Sequence, residues 1–182
     1  MKRRKFLLLT AGFALGAALS PLQAKKFPNV VIEPSKLVGL SSAQWQIMDA
    51  VLEHLFPSEP NAPGAKDVYA TAWLHNALVM PNVEQSHRDV MRDGLLMLEK
   101  LANKIHKTSF IALNEEKKES TLRTLEEDRA GRIWLRETLR YILEALLTDP
   151  VYGGNPDSIG WKWLQHQPGF PQPVVGKRYF EL

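Results

Sequence analysis

The chain contains no cysteine. That excludes disulfides, thiolate zinc sites, iron–sulfur clusters and covalent c-type haem attachment. The fold must hold by packing alone. A true basic excess is also missing. Of 23 Lys and Arg, four (Lys2, Arg3, Arg4 and Lys5) sit in an acid-free leader, and the remaining 19 face 20 Asp and Glu. No basic patch is interleaved with aromatics, so nucleic acid is not an expected partner. No strand pattern of any length occurs, and no internal repeat is visible.

Catalytic constellations are equally scarce. None of His54, His75, His87, His106 and His166 stands four residues from another, the spacing that pairs ligands on one helix face. They read as surface or capping residues. Asp149, Asn155 and Asp157 are oxygen donors of the calcium-binding kind, but they lack the D-x-D-x-D-G rhythm. Asx-turn and cap roles account for them. Gly153-Gly154 is not a phosphate cradle, because no G-x-G-x-x-G follows a strand. Ser109, Ser120 and Ser158 have no nucleophile-elbow context. Glu126-Glu127-Asp128 reads as a solvated helix end. No cofactor, metal or catalytic residue is expected in this chain.

What is present begins with the leader, residues 1–24. Arg3-Arg4 precede Lys5, Phe6, Leu7 and Leu8, and an apolar run of about fourteen residues follows. That run is short for a membrane span of roughly twenty. Leu22-Gln23-Ala24 resembles a small-residue cleavage site ending at Ala24. Any positive segment suits an ordinary secretory signal, but Arg3, Arg4, Phe6 and Leu7 resemble the twin-arginine motif. That route carries proteins already folded. An uncleaved anchor is the lesser alternative. Either form puts the rest of the chain outside the cytoplasm, in the periplasm. Residues 25–39, broken by Pro28 and Pro34, read as a linker, and residues 40–182 as one helical domain.

Five main helices are expected in that domain. Ser41 and Gln44 fit a capping box, with Leu40 and Trp45 as a hydrophobic staple. The first helix then runs to Pro57. A second is expected over Asp67–Met80 and a third over Val83–Ile105, the latter with Val90, Met91, Leu95, Leu98, Leu101, Ala102 and Ile105 as its stripe. Phe110, Ile111 and Leu113 form an apolar bridge. Asn114 caps a fourth helix, with Leu122 and Leu125 inward. The fifth, Ala130–Leu147, carries nearly enough apolar residues for two faces and is expected at the centre. The fold class is therefore all-α, an irregular bundle with a Gly/Pro/aromatic-rich loop at its C-terminal end.

That loop, Thr148–Pro173, is the most unusual stretch. It holds Gly153, Gly154, Gly160 and Gly169, five prolines, and Tyr152, Trp161, Trp163 and Phe170. Gly and Pro prevent a long helix here. So many large rings either cap the bundle's own core or anchor on a partner. Trp161 is open between the two; Trp163 reads as core. The interface candidates are Tyr152, Gly153, Gly154, Asn155, Asp157, Gly160, Trp161 and Phe170, with Asn155 and Asp157 fixing the turns.

Three segments resemble the small, third subunit of gluconate 2-dehydrogenase and its wider family. They are LFPSEPNAPGA, FIALNEEKKESTLRTLE and, most specific, LLTDPVYGGNPDSIGWKWLQHQPGFP. With the twin-arginine leader they cover most of the chain. The resemblance implies a periplasmic, membrane-attached complex. Its large subunit is a flavoprotein of the glucose–methanol–choline type holding FAD, and a cytochrome c subunit with haem c passes electrons on. The small subunit has no known catalytic residue. It implies binding to the flavoprotein, help in its maturation and passage through the twin-arginine translocase. Two other classes remain: a free-standing periplasmic helical binding protein, and an enzyme with an unrecognised helical site.

Overall fold

A computed structural model describes residues 38–169. The leader residues Arg3, Arg4, Phe6, Leu7 and Ala24, most of the linker, and Phe170 lie outside the described residues. Among those described there are six α-helices and no strand: α1 (Ser42–Leu55), α2 (Ala70–Leu78), α3 (Gln85–His106), α4 (Glu115–Glu127), α5 (Arg129–Leu147) and α6 (Ile159–Leu164). Three short 3-10 turns, Phe110–Ala112, Pro150–Tyr152 and Pro156–Ser158, complete the set. The all-α bundle is as expected, with one helix more.

α1 starts as its capping box dictates. The Ser41 backbone N–H donates to Gln44 Oε1 at 2.8 Å, and the Gln44 N–H returns a bond to Ser41 Oγ at 3.3 Å. Leu40 and Trp45 are both buried. So is Val38, which the sequence places in the linker. After α1 the chain turns tightly around Gly64, where a Cβ would lie 2.2 Å from the Ser58 nitrogen.

The second helix begins three residues later than expected. Tyr69 has φ +58° and so cannot continue a right-handed turn back to Asp67. Its far end is closed from outside. Arg88, buried on α3, donates from Nε to the Leu78 carbonyl and from Nη2 to the Met80 carbonyl, both at 2.8 Å. A guanidinium is the fitting group where helical carbonyls run out of partners.

α3 buries Met91, Leu95, Leu98 and Ala102. Val90 and Ile105, expected in that stripe, are exposed instead. The stripe as read was too wide for one contact face. Ile111 likewise points outward, while Phe110 and Leu113 are buried.

Asp128 ends α4 and opens α5, accepting from the N–H groups of Ala130 (2.8 Å) and Gly131 (3.1 Å). The acidic run there is a hinge cap as well as a solvated end. α5 is central, packing on α1, α2, α3, α4 and α6. Its Trp134 is fully buried and lies against Gly94 of α3, where a Cβ would be 2.1 Å from Trp134 Cγ. Trp134 Nε1 donates to the Met91 carbonyl at 3.0 Å. None of the helices among the described residues is long and apolar enough to cross a membrane.

Candidate functional site

The C-terminal stretch is more regular than its composition suggests. Asp149 caps the first 3-10 turn by accepting from the Val151 N–H at 3.0 Å, and Pro150 sits at the turn's start, where no donor is needed. Gly153 follows with φ +95°. Asn155, Asp157 and Ser158 all adopt left-handed φ, bending the chain back towards α5. α6 then forms, a helix the sequence does not announce because Gly and Pro surround it.

Asn155 is the hub. It is fully buried. Its Nδ2 donates to the Thr148 carbonyl at 2.9 Å, and its Oδ1 accepts from the Gly160 N–H at 2.7 Å. Its own N–H reaches the Val68 carbonyl at 3.2 Å, which ties the module to the turn before α2. Two glycines permit the approach. A Cβ on Gly154 would meet Thr148 Cγ2 at 2.7 Å, and one on Gly160 would lie 2.3 Å from the Leu146 carbonyl.

The rings divide. Trp161 is buried, and its Nε1 donates to the Leu147 carbonyl at 2.8 Å. Trp163 is half-buried, edge-on to Phe56 with ring centroids 6.3 Å apart. Of the interface candidates, Gly154, Asn155, Gly160 and Trp161 are engaged in the chain's own packing, while Tyr152 is half-buried and Gly153 and Asp157 are exposed. The structure brings all seven into one module. An open groove of about 920 Å³ runs beside it, lined by Asp149, Pro150, Trp161 and His166 among others.

The histidines do not converge: four lie on helices and are part-buried, and His166 lies exposed beyond α6. His54 lies between two carboxylates of α4, Nδ1 at 2.9 Å from Glu115 and Nε2 at 3.0 Å from Glu119. His87 Nε2 meets the Tyr141 hydroxyl at 2.7 Å, and His106 Nε2 meets Thr121 Oγ1 at 3.1 Å. His75 packs edge-on against Trp45, and His166 against Trp161. Burial pushes the Tyr141 hydroxyl's pKa above its ordinary value. Among the described residues, no group of three or more His, Cys, Asp or Glu is placed to hold a metal ion.

Chemically, the arrangement offers a rigid, polar-pinned terminal module and surface, with no assembled acid–base or nucleophilic set among the described residues. One surface feature escaped the sequence reading. Leu143 and Leu147 of α5, expected to be covered, are about half exposed. Their i, i+4 spacing, together with the surplus of apolar residues on α5, was the available signal.

Residues 42–169 match the family model described as gluconate 2-dehydrogenase subunit 3, and the chain belongs to that family, the small subunits of a dehydrogenase complex. No curated protein and no solved structure matches it.

Proposed function

We propose that this chain is the non-catalytic small subunit of a periplasmic, membrane-associated, FAD-dependent dehydrogenase complex of the glucose–methanol–choline type. The complex oxidises a sugar, a sugar acid or another alcohol. FAD and the catalytic groups belong to the large flavoprotein subunit, and haem c belongs to a cytochrome subunit. This chain binds the flavoprotein, supports its maturation and carries it through the twin-arginine translocase.

The family match over residues 42–169 is the observation that carries this reading. The leader adds to it. A signal for exporting folded proteins, on a chain in which no cofactor motif is recognised, makes sense when a cofactor-loaded companion travels with it. The terminal module supports it too, because a surface pinned by buried hydrogen bonds loses little entropy on docking.

Co-expression with the flavoprotein subunit tests the escort role. Arg3→Lys together with Arg4→Lys should abolish periplasmic dehydrogenase activity and leave flavoprotein in the cytoplasm. Unchanged periplasmic activity in that double variant would refute it.

A further inference from the structure

One exposed stripe runs the whole length of α5. It consists of Arg129, Arg132, Arg136, Arg140, Leu143 and Leu147, at steps of three, four, four, three and four residues. Those steps place all six on one side of the helix. Four guanidinium groups occupy its first part, no carboxylate lies on it, and two leucines finish it. The helix's acids, Glu137 and Glu144, stand to one flank and hold Arg140. Arg132 is turned to the Glu126 and Glu127 carbonyls at 3.1 and 3.2 Å. Arg136 is only weakly engaged: its side chain is 74% exposed and its carboxylate contact, to the adjacent Glu137, is 3.8 Å long.

Leu143 and Leu147 are 51% and 52% exposed. α6 is pressed onto this end of α5 through Gly160 and the Trp161–Leu147 hydrogen bond. Leu164 on α6 is also exposed, at 44%.

We propose that this stripe is the docking surface for the large dehydrogenase subunit, an inference that rests on the subunit reading above. The complementary occupant is a folded protein surface with an apolar groove for Leu143 and Leu147 and carboxylates flanking its continuation, opposite Arg136. Desolvated leucines supply affinity at one end, and arginine–carboxylate pairs fix register at the other. A bilayer fits worse. An interfacial helix sinks a broad apolar face, whereas the inner face of α5 is the bundle core and its outer leucines cover one end only.

Binding of full-length variants to the co-expressed flavoprotein subunit tests this. Leu143→Asp with Leu147→Asp should weaken binding by roughly thirtyfold or more. Arg136→Glu should weaken it by about tenfold and reduce its salt dependence. Leu96→Asp and Ile105→Asp, at comparably exposed positions on α3 (45% and 47%), should leave it unchanged. If the leucine pair proves intolerant of the change and the chain unfolds, Arg136→Glu decides alone. Wild-type affinity in the stripe variants would overturn the surface while leaving the subunit reading intact. So would loss of self-association, or of binding to anionic phosphatidylglycerol vesicles, in those variants with flavoprotein binding preserved. Failure of the wild-type chain to bind the flavoprotein at all would overturn the subunit reading and the surface with it.

Discussion

At Asn155 four hydrogen bonds meet on one buried residue, and two of them use its side chain. Removing that side chain strands the Thr148 carbonyl and the Gly160 N–H away from water. An unsatisfied buried group costs about 1–3 kcal/mol. Asn155→Ala should therefore destabilise the full chain by about 3 kcal/mol in urea unfolding, and Asn155→Asp, which sets a buried carboxylate oxygen against the Thr148 carbonyl, by at least as much. A loss below about 1 kcal/mol for the alanine variant would show that the hub does not hold the module. Neither role was fully legible beforehand. Asn155 reads from sequence as a turn residue, and it is one, with left-handed φ. Its burial depends on contacts with Val68, Thr148 and Gly160 that no local pattern encodes. Trp161 shows the same limit. Composition announces that a large ring needs a partner, and only the fold says that the partner is the end of α5.

Between elements, caps carried the most readable information. Ser41, Asn114 and the stop at Pro57 are local devices, and the structure places helix ends there. The starts of α2 and α6 were not readable, because left-handed residues at Tyr69 and Ser158 set them. The α1–α4 joint is a tertiary contact and equally hidden. Glu115 lies below its ordinary pKa of 4.5, first because Lys118 donates to it and then because His54 does. Glu119 is also lowered from 4.5, chiefly by the His54 hydrogen bond and further by Arg123. A carboxylate depressed in the folded state stabilises the fold above its unfolded pKa, and that contribution disappears as pH falls through the folded one. The melting temperature should therefore decline from about pH 5 downward, and Glu119→Gln should make the decline shallower. Both carboxylates face solvent, so the change is small. An identical acid limb in wild type and Glu119→Gln would contradict this account of the joint.

Taken whole, the molecule is uneven in charge along its length. Its basic excess lies in residues 1–24, and the residues beyond them are nearly balanced in charge. The described residues build one bundle around α5, whose inner face makes the core and whose outer face is left to solvent. That division explains how a helix can carry nearly two apolar faces without burying both. The all-α class was legible because helical periodicity is strong in each segment. The outer stripe was not, because periodicity alone does not tell a covered leucine from an exposed one. The claim that unites these features is that the chain acts only as part of a larger assembly. Native isolation from periplasmic membranes, followed by mass determination and flavin absorbance, tests it most directly. The account predicts that the chain migrates with a larger FAD-containing subunit in a defined ratio; a lone flavin-free species near 20 kDa, with the flavoprotein reaching the periplasm separately, would contradict it.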